Sequence, residues 1–343
     1  GVGNILLEPQ STNLVTYSED FSQWNRVNNV ALSADSTVQN PDGTDSTKLT
    51  KNSSGTAIVS DDGISISAST TYVFSFFVKK GNFDVVRAEV GSGSNNVNIY
   101  YTFSTDSFST NESGTQTVIS VDSLSFANDW KRICIVFTGS ITSVNATLFI
   151  GTSINDYVYY FGAQLEEQSF ETSYIPTNGS TVTRLGETCN NSGNADLISS
   201  TEGVLYAEFK CFNNLASEFI RVINLNDGSS GDDNSIKLLR SNSVSDKFLL
   251  QIEISNTIVV NQGITLSDST EFNKIAISYK SGDTKIFVNG VSVATRTETF
   301  TLPTLNQLDL SSSTGFNNFE GNVKCVAVFK EALTDVQLQC LTS

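Results

Sequence analysis

Short runs of β-branched and aromatic side chains, cut off by clusters of Gly, Ser, Asn and Asp, recur along the whole chain and leave little room for anything but strands. Tyr72-Val73-Phe74-Ser75-Phe76-Phe77-Val78, Arg132-Ile133-Cys134-Ile135-Val136-Phe137 and Ala146-Thr147-Leu148-Phe149-Ile150 are three of them. Helical periodicity is nearly absent. One stretch, Thr334 to Leu341, reads as a helix, with Thr334 as the N-cap before Asp335, Val336 and Leu338. Turns such as Lys79-Lys80-Gly81-Asn82 and Val90-Gly91-Ser92-Gly93-Ser94-Asn95 carry residues that tolerate positive φ. Strands at this spacing, joined by turns, predict an all-β fold of antiparallel sandwiches.

With 343 residues the chain can close more than one core, and two is the expected number. The strongest boundary signal is Ser173-Tyr174-Ile175-Pro176-Thr177-Asn178-Gly179-Ser180, where Pro blocks strand pairing and Asn-Gly favours a turn. Strand runs restart at Gly203 to Lys210 and continue through Ile236 to Arg240, Lys247 to Ile254, Lys274 to Tyr279, Lys285 to Val288 and Gly321 to Phe329. The predicted domains are 1–177 and 178–343, two sandwiches in tandem.

Asp and Glu number 36 against 20 Lys and Arg, a net charge of −16 that repels phosphate backbones and anionic lipid. Nucleic acid and membrane surfaces are therefore poor partners, and a neutral or cationic partner is expected. No apolar run approaches the roughly 20 residues that span a bilayer. The chain begins at Gly1 and contains no Met, which implies the loss of an initiator or of a longer upstream part. Histidine is absent too, which excludes Ser-His-Asp and Cys-His nucleophilic systems and His-ligated zinc from this chain. Five cysteines, Cys134, Cys189, Cys211, Cys325 and Cys340, show no C-x-x-C spacing. Cys134 and Cys325 lie in apolar runs and read as buried thiols, with a Cys211 to Cys325 bridge as an alternative.

The segment from Asn4 to Trp24, containing Leu6-Leu7-Glu8-Pro9-Gln10, Thr12-Asn13-Leu14, Tyr17-Ser18-Glu19-Asp20-Phe21-Ser22 and Trp24, resembles the N-terminal stretch of tail and virion-surface proteins of tailed bacteriophages. Phe161-Gly162-Ala163-Gln164-Leu165-Glu166, then Thr172-Ser173-Tyr174-Ile175-Pro176-Thr177, match the way that family closes its first module. The resemblance implies a first module similar to a carbohydrate-binding-module jelly roll. In the second module, Phe272 to Asp283 followed by Lys285 to Val291 looks like a laminin-G/concanavalin A-like hairpin, with Asn289-Gly290 supplying the two positive-φ positions of a type I′ turn. Val326 to Leu338 resembles the closing segment of the same superfamily, and Ser343, just beyond it, reads as a natural C-terminus.

Sugar recognition by sandwiches rests on an exposed ring stacked on the apolar face of a pyranose, flanked by hydroxyl-binding side chains. Trp24, Tyr100, Tyr101 and Phe103 are candidates; Trp130 reads as core, and Tyr159-Tyr160-Phe161 should expose one of its two faces. Asp227, Asp232 and Asp233, in a Gly/Ser-rich loop, are the candidate ligands of a structural Ca²⁺, as loop carboxylates are in similar lectin domains. No cofactor is otherwise required. Asp61-Asp62-Gly63 reads as a turn, and Glu166, Glu167 and Glu171 as a solvated acidic loop. A concanavalin A-like glucanase would need paired carboxylates on an E-x-D-x-x-E strand, and residues 181 to 343 contain none.

The expectation is thus a non-enzymatic phage virion-surface protein, a tail or head fibre or decoration component. It would be assembled in the bacterial cytoplasm and contact other virion proteins and host-surface polysaccharide. The resemblance implies a homo-oligomer, trimeric if a fibre. The alternatives are tandem carbohydrate-binding modules of a secreted polysaccharide-degrading enzyme and, third, a glycosidase using Glu166, Glu167 or Glu171.

Overall fold

A computed structural model describes residues 3–213, 222–229 and 232–343. Its strands in chain order are β1 (Ile5–Leu7), β2 (Ser11–Asn13), β3 (Arg26–Asn28), β4 (Val30–Gln39), β5 (Asp45–Lys51), β6 (Ile58–Ser65), β7 (Thr70–Lys79), β8 (Val85–Ser92), β9 (Asn95–Thr102), β10 (Ser107–Ser113), β11 (Thr117–Ser125), β12 (Trp130–Gly139), β13 (Ser143–Phe149), β14 (Tyr157–Glu166) and β15 (Val182–Arg184). There follow β16 (Glu202–Cys211), β17 (Val222–Asn226), β18 (Ser235–Arg240), β19 (Lys247–Ile254), β20 (Thr257–Thr265), β21 (Asn273–Lys280), β22 (Thr284–Val288), β23 (Val291–Arg296), β24 (Gln307–Asp309), β25 (Gly321–Phe329) and the helix α1 (Asp335–Thr342). The fold is all-β, with two antiparallel sandwiches.

The first unit, Gln10–Leu185, is a jelly-roll sandwich of two six-stranded sheets, ordered β10-β9-β8-β13-β6-β3 and β11-β12-β7-β14-β5-β4. Alternation builds its core. Phe74, Phe76 and Val78 of β7, Ile133, Ile135 and Phe137 of β12, and Val86, Ala88 and Val90 of β8 all point between the sheets. Each large side chain so buried contributes about 1.5–3 kcal/mol.

The segment around Pro176 is not a free linker. Ile175 donates its backbone N–H to Gln164 Oε1 at 2.6 Å, Thr177 donates its own to Ser18 Oγ at 2.8 Å, and the Tyr174 hydroxyl lies 2.6 Å from Ser18 Oγ. Pro176 keeps the strand from joining a sheet, and buried polar side chains take over its backbone groups. The unit accordingly continues to β15, which pairs with β2, rather than ending at residue 177.

The second unit holds the residues up to Pro9 together with Gly186–Ser343. Its sheets are β1-β25-β16-β21-β22-β23 and β20-β19-β18-β17-β24, and its architecture is concanavalin A-like. Residues 5–7, expected in the first module, instead pair with β25 in register Ile5 to Val323 and bury Leu7 in this unit's core. Asn289 and Gly290 adopt φ of 47° and 81°, as the hairpin requires. At α1, Thr334 Oγ1 caps Gln337 N, and the Gln337 side chain returns a bond to Thr334 N at 2.9 Å.

None of the five cysteines is joined in a disulfide. Cys211 stands opposite Gly321 and Cys325 opposite Glu208, so the register separates the two and excludes a bridge. Cys325 is exposed, not buried as its apolar run suggests, because it points away from the core on the outer face of its sheet.

Asn13 closes the first unit. Buried completely, it donates to Ala163 O and Ile175 O and accepts from Val15 N and Leu165 N, at 2.9 to 3.1 Å. Asn13→Ala should destabilise the unit by about 3 kcal/mol, since each orphaned buried group costs about 1–3 kcal/mol. Urea denaturation reads this directly, and an unchanged midpoint would remove Asn13 from this role.

Candidate functional site

The polar face of the sheet formed by β8, β9 and β13 carries the most distinctive cleft. On β8, burial of Val86, Ala88 and Val90 forces Val85, Arg87 and Glu89 outward. Register sets Arg87 directly opposite Tyr100 of β9, while Leu148 opposite Ala88 brings Phe149 alongside on β13. The Arg87 guanidinium lies 3.8 Å from the Phe149 ring centroid and 5.7 Å from that of Tyr100. Its Nε and Nη2 donate to Asn98 Oδ1 at 2.9 and 2.6 Å, and Nη2 also to Glu89 at 2.8 Å. The two N–H groups on Nη1 have no acceptor among the described residues.

Lys51, the last residue of β5, lines the same cleft, as do Gly55, Thr56, Gly151 and Thr152. Its stem is buried and its Nζ donates to Gly55 O, with no carboxylate paired to it. The cleft is open, about 410 Å³, and no carboxylate is among its lining residues. Two ammonium-type donors beside two aromatic rings suit a ligand with an anionic group and an apolar face. This differs from the composition-based expectation of a neutral or cationic partner. The net charge is spread over the whole chain and screened beyond about 8 Å at physiological salt, so the local pair of cations dominates here.

Of the four rings singled out as sugar platforms, Phe103 is half-buried against the core, and Tyr100 alone lines this cleft. Tyr101, its neighbour in the strand, points into the core, where its hydroxyl donates to Asp106 at 2.6 Å; successive strand residues cannot share a face. Trp24 is a core residue as well, edge-on to Phe21 at 4.9 Å with its indole N–H donated to Tyr17 O at 2.8 Å. Trp130 is buried as expected, but Tyr159, Tyr160 and Phe161 are all buried, because both faces of β14 are covered. Arg87 and Lys51 escaped the sequence reading. The alternation Val86, Ala88, Val90 does place Arg87 outward; its neighbours depend on register across three strands.

Asp227, Asp232 and Asp233 do not converge. Asp227 accepts from Ser229 and Asn234, Asp232 accepts from Asn224 at 2.8 Å and Ser313 N at 2.7 Å, and no group of three acidic or cysteine side chains gathers among the described residues. Asp61-Asp62-Gly63 is part of β6, not a turn, and Asp62 is clamped by Arg26 Nε and Nη2 at 2.5 and 2.8 Å. The three glutamates differ: Glu167 is solvent-exposed as a loop carboxylate would be, Glu171 is half-buried and Glu166 is not solvated at all. Glu166 ends β14 fully buried, accepting from Ser11 and Thr172, and Glu167 accepts from the Tyr72 hydroxyl at 3.2 Å.

Residues 212–339 match the Laminin_G_3 family, described as the concanavalin A-like lectin/glucanases superfamily. No curated protein sequence matches the chain. Among solved structures, the CBM40 of the Ruminococcus gnavus IT-sialidase bound to α2,3-sialyllactose is 17% identical, over 46% of this chain and 97% of its own, with a TM-score of 0.37. The NanB sialidase of Streptococcus pneumoniae is 14% identical over 45% of this chain and 28% of its own, at 0.36. The LG4-5 domains of the mouse laminin α1 chain are 9% identical over 78% and 86%, at 0.29.

Glu171 offers a test of the sandwich's electrostatics. Burial raises its pKa above the ordinary carboxylate value, against the opposing pull of Arg132. A carboxyl whose folded pKa is raised costs stability as pH climbs from the unfolded value through the folded one. Glu171→Gln should therefore raise the urea midpoint at neutral pH and leave it unchanged at acid pH below both values; equal midpoints at neutral pH would contradict this.

Proposed function

We propose that the chain is a non-enzymatic glycan-attachment protein whose first sandwich holds an acidic sugar in the Arg87 cleft. The single observation that carries the reading is the free Nη1 edge of Arg87, held rigid between Phe149 and Tyr100 beside the unpaired Lys51. A carboxylate or sulfate would take the guanidinium edge, and the sugar's apolar face would meet the exposed part of the rings. The lectin-like second unit supports a role in carbohydrate recognition.

The resemblance of Asn4 to Trp24 to phage virion-surface proteins supports a role for this recognition at the surface of a tailed-phage particle. There the chain would act as an oligomeric fibre or decoration component that meets host polysaccharide. Binding requires no catalysis; of the glutamates considered as acid or nucleophile, Glu166 is buried and engaged within the fold, Glu171 is half-buried, and the exposed Glu167 accepts from the Tyr72 hydroxyl.

Isothermal titration with an acidic bacterial capsular polysaccharide and with its carboxyl-reduced form tests the reading. The acidic form should bind, the reduced form should bind far more weakly, and Arg87→Ala should lose roughly 10- to 100-fold in affinity, the worth of one or two charge-assisted hydrogen bonds. Reducing ends released over time would refute the non-enzymatic assignment. Mass spectrometry of purified virions that failed to find the chain would refute the particle assignment and favour modules of a secreted enzyme.

A further inference from the structure

A second cleft, of about 530 Å³, opens in the same sandwich where the β7–β8, β9–β10 and β11–β12 connections meet. Lys79, Lys80 and Lys131 line it together with Phe103 and Phe126. The two strands end together here: Trp130 stands opposite Lys79 and Lys131 opposite Val78, so Lys79 and Lys131 leave opposite faces of the sheet and both reach the cleft at the end where β7 stops and β12 begins.

Each ammonium is already held by one or two protein oxygens. Lys79 donates to Asn128 O, Lys80 to Asp84 at 2.5 Å, and Lys131 to Asp106 at 3.0 Å and Ser125 Oγ at 2.9 Å. An ammonium carries three N–H groups, so each retains at least one donor. Phe126 is 41% exposed and fixed edge-on against Phe77 at 5.0 Å, which presents a rigid ring to solvent. The loop behind it turns through two consecutive non-glycine residues in the left-handed region, Asn128 and Asp129, with φ of 58° and 61°. Such a conformation costs on the order of 1–3 kcal/mol per residue and persists where the surroundings enforce it.

The charge balance separates this cleft from the Arg87 site, where two cations, Arg87 and Lys51, stand against the one carboxylate of Glu89. Here three lysines face three carboxylates, those of Asp84 and Asp106 in ion pairs and that of Asp129 in the lining. No net charge selects an anion. Ammonium donors, carboxylate acceptors and exposed rings together match a pattern of hydroxyls around an apolar ring face. We infer that this cleft is a second glycan subsite, one that takes a neutral pyranose with Phe126 as its stacking platform. It rests on the reading of the sandwich as a glycan binder and adds a neutral sugar to the acidic one.

The test uses the full chain on an array of neutral and acidic microbial glycans, with affinities of positive spots measured by titration. Neutral glycans should bind; Phe126→Ala should weaken them about tenfold, Lys79→Ala should weaken them further, and Phe126→Trp should retain them. Acidic glycans should hold their affinity in Phe126→Ala, which also reports that the variant folds. If no neutral glycan binds, or if Phe126→Ala leaves neutral binding unchanged, the second subsite is overturned while acidic binding through Arg87 stands. Loss of neutral and acidic binding alike in a Phe126→Ala chain of wild-type thermal stability would also overturn it, since the clefts would then be one site. Failure of acidic glycans to bind the wild-type chain is the separate failure of the first reading.

Discussion

Burial of alternate side chains along β8, β9 and β13 is the constraint on which the rest of the first sandwich depends. Val86, Ala88 and Val90 reach the core only if Arg87 and Glu89 face outward, and Ile99 and Tyr101 reach it only if Tyr100 does the same. A slip of one residue in either strand would bury the arginine and expose the core. The cleft is therefore a by-product of hydrophobic burial, made specific by the register that seats Arg87 between two rings.

Electrostatics then distinguishes places that composition averages together. A chain of net charge −16 presents one cleft in which two cations stand against the single carboxylate of Glu89, and another in which lysines and aspartates balance. The difference arises because the groups that happen to lie within reach on one face, chain neighbours included, decide who pairs with whom. Glu89 reaches Arg87 at 2.8 Å along the same strand face, whereas Lys51 arrives from a different sheet and finds only a backbone carbonyl.

Polar side chains buried near the sandwich edge do the work of a sheet hydrogen-bond ladder where the ladder stops. Asn13, Ser18 and Gln164 satisfy the backbone around Pro176, a segment that looks like a linker by its Pro and Asn-Gly content. Local turn chemistry in that segment is real, yet it lies inside the unit, because Asn13 and Ser18, 162 and 159 residues away, take up the Ile175 C=O and the Thr177 N–H. The same long-range logic assigns Ile5–Leu7 to the second unit through pairing with β25.

Much of the architecture was legible in the chain itself. Period-two alternation, the Thr334 N-cap and the Asn289-Gly290 turn are local signals, and strands, helix and hairpin follow from them because φ, ψ and side-chain direction are set within a few residues. Tyr100 was legible only as one of an adjacent pair with Tyr101, and Trp24 as an aromatic without a known face. Which ring is core, which arginine is free, where the domain boundary falls and which cysteines are apart were decided by tertiary structure alone. Each depends on register between strands distant in sequence, and a sequence records the strands but not the partners against which they align.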